Sequence, residues 1–152
     1  MQMTRFLTPV ALGLAIAFAP IPGEAAPKRI HVIAKVAEQT FTGDLRNPKL
    51  SDRLINHVEF YDEDGTKVGV GAGVCTIVST KEASLETLVQ CLLTAVFDQG
   101  QIILGGEDPF PQPGVVGHFG ILGGTDAFWR ARGEATLVVQ SDGDIDGILD
   151  ID

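Results

Sequence analysis

Hydrophobic and polar residues alternate along most of this chain in short runs, the pattern expected of β-strands that bury one face. In residues 53–62, one side of the predicted strand carries Leu54, Asn56, Val58 and Phe60, and the other carries Ile55, His57, Glu59 and Tyr61. Turn-forming pairs such as Asp64-Gly65 and Gln99-Gly100 separate the runs. The predicted strands are residues 29–42, 53–62, 68–79, 88–98, 101–104, 115–122, 129–140 and 145–151.

Eight strands joined mostly by short turns predict an all-β fold, an eight-stranded antiparallel up-and-down β-barrel, because closing the sheet removes the exposed edges that promote aggregation. An open sandwich is the alternative. The interior of a barrel with this strand number accommodates packed side chains or one small ligand. Three prolines between Gly105 and Gly114 predict a loop or lid there. The one helical candidate, residues 82–88, is short.

A glycine-rich corner, residues 123–126, precedes the seventh predicted strand. Its two glycines permit a tight reversal of the chain. Beyond the corner, Arg130 and Arg132 are two residues apart, so an extended strand places both on one side. Phe128 points to that side as well if the strand begins early. The sequence therefore predicts a face with two positive charges beside an aromatic ring.

The length of the chain indicates one domain, and its net charge argues against a nucleic-acid partner. The chain has 152 residues, 45% of them hydrophobic, which suffices for one core but not for two. Its net charge is −9, from 11 basic and 20 acidic residues, and it has no basic cluster to neutralise a phosphate backbone. Nucleic acid is therefore not an expected partner.

The N-terminus has the features of an export signal. Arg5 supplies the positive region, Phe6 to Ala19 the apolar stretch, and Ala25-Ala26 the small residues of a cleavage site. A retained membrane anchor is the alternative, although the stretch is shorter than the roughly 20 residues that span a bilayer. We expect a signal peptide in residues 1–26, a single domain in 27–152, and a secreted or periplasmic protein without membrane association after cleavage.

The two cysteines fall on neighbouring predicted strands. If residues 68–79 and 88–98 form a hairpin centred on Ala83, Cys75 and Cys91 lie directly opposite each other. In an oxidising compartment this register predicts a cross-strand disulfide. The alternative is a pair of buried free thiols.

The segment Gly117 to Ala135 resembles the signature region of the dirigent and allene oxide cyclase barrel superfamily. The residues that carry the resemblance are Gly123-Gly124-Thr125, Phe128 and Arg130-Ala131-Arg132-Gly133, with upstream support from Phe60 to Gly73, Val74-Cys75-Thr76, Cys91, Gly100-Gln101-Ile102 and Gly105. The chain is most similar to small bacterial proteins that carry an allene oxide cyclase barrel-like domain, over roughly residues 30–151. The resemblance implies the same eight-stranded barrel.

Members of this superfamily cyclise an unstable fatty-acid epoxide, steer the coupling of phenoxy radicals, or fold polyketide chains in cycloadditions. Each gives a reactive apolar substrate one shape, mostly by positioning and exclusion of water. The resemblance implies an isomerase or cyclase that acts on a small apolar substrate and assembles as a homotrimer. We expect no cofactor, and the export signal predicts that this protein is secreted or periplasmic. Two alternatives are a non-catalytic barrel that binds or guides a small hydrophobic ligand, and a structural barrel with a filled interior.

The resemblance also implies site residues. The expected catalytic residues are Arg132, Asp126 and Tyr61, since an acid and an arginine near this segment are thought to polarise the intermediate in dirigent proteins. The expected ligand-binding residues are Asp62, Phe128, Arg130 and His118. The alternative roles are structural: Asp126 caps the turn, Arg132 pairs with an acidic neighbour such as Glu134 or Glu59, and Tyr61 packs with its hydroxyl in water.

No metal site is expected. His31, His57 and His118 lie on three different predicted strands and lack the spacing of zinc ligands. The acidic tail, Asp142 to Asp150, matches the first nine places of a calcium-loop pattern. We favour a hairpin turn followed by the closing strand, because without that strand the barrel has exposed edges.

Overall fold

The computed structural model describes residues 28–80 and 87–152, so the predicted signal peptide and nearly all of the helical candidate at 82–88 lie outside the described residues. The elements are β1 (Lys28–Phe41), β2 (Arg53–Tyr61), β3 (Lys67–Thr80), β4 (Thr87–Phe97), β5 (Gly100–Pro109), β6 (Val116–Gly124), a one-turn 3-10 helix (Asp126–Phe128), β7 (Gly133–Val139) and β8 (Ile145–Ile151). Among these residues no helix is long and apolar enough to cross a membrane.

The strands form a closed barrel in which each strand pairs antiparallel with the next, and β8 pairs with β1. The predicted eight-stranded up-and-down barrel is therefore confirmed, and the open sandwich is excluded. Short turns make most of the connections, as at Gly65, whose φ of 80° suits glycine. The acidic tail forms the turn before β8 and β8 itself, where Gly143 has a φ of 93°. No group of three acidic, histidine or cysteine residues within the described chain is arranged to hold a metal ion.

Alternation along the strands separates the core from the surface. On β2, Leu54 and Val58 are buried, whereas Ile55 between them is 42% exposed, as the sequence pattern predicts. The same alternation fills the barrel from every strand. Buried inward-facing residues include Val32, Cys75, Val89, Leu104, Ala135 and Leu149.

Three phenylalanines close one end of the barrel, which we call the closed end. Phe60 stacks on Phe97 with ring centroids 5.5 Å apart, and Phe97 lies 6.0 Å from Phe128. Phe128 is only 3% exposed. The neighbouring strand makes room for these rings with glycine: a Cβ on Gly71 would lie 2.7 Å from the Phe60 ring. The closed end is therefore packed with side chains.

The glycine-rich corner differs from its prediction. Strand β7 begins only at Gly133, and the chain before it forms the 3-10 helix and an irregular turn. Asp126 and Arg130 both have positive φ, 52° and 68°, values that no strand contains. The prediction that Arg130 and Arg132 share one face of a strand is therefore wrong. The physical reason is the burial of Phe128, which requires the chain to turn into the barrel end before β7 starts.

Strand β5 is longer than predicted, because Gly105 to Pro109 continues the strand instead of starting a loop. These residues pair with β4, from Leu92↔Gly105 to Leu88↔Pro109. Pairing of β5 with β6 ends at Gly105↔Gly120. One edge of the last part of β5 is therefore free of ladder hydrogen bonds, and proline is tolerated at such an edge.

Candidate functional site

An apolar cavity of about 120 Å³ occupies the barrel interior. Phe60 and Phe97 form its floor at the closed end. At the opposite end, which we call the open end, it reaches Pro109, Pro111 and Val115. Between the two ends its wall is made by inward-facing apolar side chains, among them Val32, Leu54, Leu104, Phe119, Leu137 and Leu149.

A disulfide forms part of this wall. Cys75 on β3 lies directly opposite Cys91 on β4, with Cα atoms 4.0 Å apart, and the two are bonded. Both residues are buried and line the cavity. The predicted register and the predicted disulfide are confirmed, and the alternative of two free thiols is excluded.

Two polar side chains enter the cavity from inward positions, Asn56 on β2 and Asp108 on β5. Asn56 stands between the buried residues Leu54 and Val58, and no described group hydrogen-bonds to its amide. The amide atoms are not sealed from solvent either, because no buried side-chain polar atom of the described chain lacks a partner. The amide is therefore accessible from the cavity.

Asp108 has one free oxygen. Its Oδ2 accepts a hydrogen bond from the backbone N–H of His118, at the place where β5 and β6 no longer pair. This bond holds the two diverging strands together. The other oxygen, Oδ1, has no hydrogen-bond partner among the described residues.

The predicted catalytic pair at the glycine-rich corner lies on the outside of the closed end. The Arg132 guanidinium donates from Nη1 to the carbonyl oxygens of Leu122 and Ala131, at 2.8 and 2.7 Å. The Asp126 carboxylate accepts a 3.0 Å hydrogen bond from the hydroxyl of Thr125. Both side chains are exposed, and their observed contacts stabilise the turn before β7.

Tyr61 and Asp62 lie at the end of β2, also at the closed end. The Tyr61 hydroxyl donates a 2.7 Å hydrogen bond to Glu59, and this bond raises the pKa of Tyr61. A phenol held in this way is a poor source of phenolate at neutral pH. The Asp62 carboxylate accepts from the backbone N–H groups of Asp64 and Thr66, at 3.1 and 2.7 Å, and so caps the β2–β3 turn.

The remaining predicted ligand contacts are distributed over the same end and the outer wall. Phe128 belongs to the aromatic cluster, with the Lys28 ammonium 5.0 Å from its ring centroid. Arg130 lies over the exposed ring of Trp129, 5.7 Å from its centroid. His118 is exposed on β6 and hydrogen-bonds through Nδ1 to Glu134 at 2.8 Å.

None of the seven predicted catalytic and ligand-binding residues lines the cavity that the described residues enclose. Their roles as substrate contacts stay predictions, which the position of the cavity does not support. The sequence did contain a signal for Asn56, since it was the one polar residue on the apolar side of its strand. Asp108 gave no such signal, because it fell within the segment predicted to be a proline-rich loop.

No family model and no curated protein matches this chain. Several solved protein structures do match it. Pyocyanin demethylase superposes with a TM-score of 0.70 at 20% identity, covering 82% of this chain and 100% of that one. AbnU, described as an exo-specific intermolecular Diels-Alderase, gives 0.71 at 15% identity, covering 83% and 98%. The pterocarpan synthase dirigent protein PsPTS1 gives 0.61 at 18% identity, covering 85% and 95%.

Proposed function

We propose that this chain, which has the fold of dirigent proteins and Diels-Alderase barrels, binds a small and mainly apolar molecule inside its barrel and directs the shape in which that molecule reacts. The resulting activity is that of an isomerase or cyclase. The observation that carries the proposal is the cavity of about 120 Å³, whose lining among the described residues is apolar apart from Asn56, Thr94 and Asp108.

The cavity suits positioning better than acid–base chemistry. Its wall is mainly hydrophobic, so a ligand that enters it displaces water and adopts the conformation that the wall permits. Ordering a reactive molecule in this way removes part of the entropic barrier to ring closure. Desolvation strengthens the few polar contacts that remain. The named activities of AbnU and PsPTS1 are consistent with such a role.

The volume of the cavity limits the size of the ligand. An apolar cavity of about 150 Å³ holds a benzene molecule, and the cavity here is about 120 Å³. The enclosed part therefore accepts about one ring or a short branched chain. A larger substrate extends through the open end past Pro111 and Val115.

A cavity-filling variant tests the proposed site. Ala34 is buried on β1 and lines the cavity, whereas Ala37 on the same strand is exposed. We expect Ala34→Leu to fill the cavity and to weaken the binding of benzene, measured by NMR titration, at least tenfold. The matched control Ala37→Leu adds the same atoms outside the barrel and should leave the affinity unchanged. Equal binding by both variants, with both folded, would place the ligand elsewhere.

A second candidate function is binding or guiding without catalysis. It is favoured by one observation: Asp108 is the one ionisable side chain that lines the cavity among the described residues, and one of its oxygens is already bonded to the His118 N–H. Native mass spectrometry of the exported protein identifies any co-purified small molecule. Incubation of that molecule with the protein then separates the functions, since an isomerase or cyclase converts it and a binder returns it unchanged.

We propose in addition that the protein is exported and loses residues 1–26. The Cys75–Cys91 disulfide supports this, because such bonds persist in oxidising compartments. The same non-reduced mass spectrum tests it. The expected mass is that of the chain without its first 25 or 26 residues and lacking two hydrogens. A full-length mass would contradict cleavage.

We further propose that the barrel assembles as a homotrimer through its outer wall. Ile55, Val74 and Leu92 are direct neighbours across β2, β3 and β4, and each is at least 38% exposed. Leu122 extends this row by packing over Gly105, the partner of Leu92. Burial of this uncharged row between copies is favourable. A trimer that Leu92→Lys dissociates supports the assembly, whereas a monomeric parental protein would contradict it.

A further inference from the structure

Asn56 is the most unusual residue of the cavity wall. An amide offers two donors and an acceptor, and leaving them without partners in an apolar cavity costs free energy. The adjacent strand makes room for this side chain, because residue 73, its register partner, is glycine. A Cβ on Gly73 would lie 3.0 Å from Asn56 Oδ1. The fold therefore accommodates an amide that no described protein group uses.

Asp108 on β5 supplies a second polar atom without a partner within the described chain. Its Oδ2 is fixed by the His118 N–H, which sets the orientation of the carboxylate. Gly117 on β6 leaves space beside it, since a Cβ there would lie 3.0 Å from Oδ2. Oδ1 is consequently held in a defined direction but remains available to accept a hydrogen bond.

The two points face each other across the barrel. The strand register links Asn56 to Gly73, Gly73 to Leu93 and Leu93 to Leu104. Because barrel strands tilt by roughly 35–45° from the axis, this line of partners descends toward the closed end. Asp108, four residues beyond Leu104 toward the open end, therefore lies at about the level of Asn56 on a wall three strands away. The surface between them is apolar.

We propose that Asn56 and Asp108 select the ligand by two-point hydrogen bonding, which rests on the proposed function of the cavity. The matching chemical class is an apolar ring that carries a hydroxyl or carbonyl oxygen at one end and a hydroxyl or amine at the opposite end. The oxygen pairs with the Asn56 amide, and the donor at the other end pairs with Oδ1 of Asp108. Hydrocarbon rings without these groups bind less tightly.

Three probes of one series test the Asn56 contact and the Asp108 contact separately. Benzene has no polar group, phenol adds a hydroxyl, and tyramine adds to phenol an amine on a two-carbon arm. A net hydrogen bond of about 1 kcal/mol corresponds to about a fivefold gain in affinity. We therefore expect phenol to bind the parental protein about fivefold more tightly than benzene, and tyramine more tightly again.

Two variants test which residue produces each gain in affinity. Asn56→Leu should lower the affinity for phenol to that for benzene without weakening benzene. Asp108→Asn retains an oxygen that accepts from the His118 N–H, and it should reduce only the additional affinity of tyramine. Melting temperatures of both variants establish that they fold. If Asn56→Leu does not fold, the comparison of phenol with benzene on the parental protein still tests the predicted hydrogen bond to the ligand hydroxyl.

The three affinities distinguish a failure of two-point hydrogen bonding from a failure of ligand binding in the cavity. Binding of benzene and phenol with equal affinity overturns the two-point inference and leaves the apolar cavity as the site. Binding of none of the three probes overturns both. A gain for phenol that Asn56→Leu abolishes supports the inference.

Discussion

The two ends of this barrel are built from the same eight strands and yet differ in what their interiors contain. At the closed end the inward positions hold Phe60, Phe97 and Phe128, whose rings pack against one another. Beside this cluster, small residues such as Ala34 and Gly147 line the interior, and the space they leave is part of the cavity. Alternation sets which side chains face inward, but side-chain volume sets whether the interior is filled.

Polar groups differ between the ends in a corresponding way. Arg132, Asp126, Tyr61 and Asp62, at the closed end, all have protein hydrogen-bond partners. Asn56 and one oxygen of Asp108 face the cavity and have none among the described residues. The polar groups at the closed end therefore stabilise the fold through their protein partners, whereas those that face the cavity remain available for further hydrogen bonds.

The largest expected effect comes from removing a ring at the closed end. Phe128→Ala should lower the free energy of unfolding by about 3–5 kcal/mol, the cost of deleting a buried aromatic side chain. The matched control is Phe110→Ala at the open end, where the half-buried ring meets only Phe41 edge-on at 6.0 Å among the described aromatic rings. Urea denaturation measures both. Equal losses would remove the distinction between a packed end and an open one.

Removal of the disulfide should have the next largest effect. Cys75 and Cys91 are 16 residues apart, and a loop of this length typically contributes about 2–4 kcal/mol by restricting the unfolded chain. The double variant Cys75→Ala/Cys91→Ala should lose that amount in urea denaturation, and reductant should lower the stability of the parental protein alone. A parental protein insensitive to reductant, with a double variant of equal stability, would contradict this role.

Arg132→Ala tests whether a residue at the closed end contributes to ligand binding. It removes hydrogen bonds to two carbonyl oxygens and should cost about 1 kcal/mol of stability. The affinity for phenol should stay unchanged, because Arg132 does not line the cavity. If Arg132→Ala instead abolishes binding or turnover in a folded protein, the functional site is at the glycine-rich corner, as the sequence resemblance implies.

The smallest effect concerns His31, on the outer face of β1. Its ring nitrogens contact Glu63 and Asp146, each at 2.7 Å. The hydrogen bond to Glu63, followed by that to Asp146, raises the pKa of His31 above its ordinary value, which is about 6.5.

Because the folded pKa is the higher one, the stabilising contribution of His31 is complete below about pH 6.5. It is lost as the pH rises through the folded pKa. We expect the stability difference between the parental protein and His31→Gln to shrink between pH 6 and pH 9, as measured by urea denaturation at each pH. A difference that is constant over this range would show that folding does not raise the pKa of His31.

The sequence predicted the features that depend on local pattern. Alternation located all eight strands, and the turn at Gly65 and the opposed positions of Cys75 and Cys91 followed from hairpin geometry. The closing strand β8 was also correctly preferred over a calcium loop, because a barrel without it has free edges.

The sequence did not predict features that depend on contacts between distant strands. Pro109 belongs to β5 because β4 supplies all of its pairing, which no local rule for proline reveals. The 3-10 helix before β7 exists because Phe128 packs on Phe97, 31 residues earlier. The cavity arises from the summed volumes of side chains from all strands, so its polar residues could be identified only after the barrel was assembled.

The most direct test of the central claim is a methyl NMR titration of the protein with phenol. We predict shift changes at methyl groups that line the cavity, those of Leu54, Leu137 and Leu149. The outward methyl groups of Leu92 and Leu122, which are 58% and 54% exposed, should not respond. Changes confined to Leu92 and Leu122, or the absence of any change at saturating phenol, would contradict a ligand site inside the barrel.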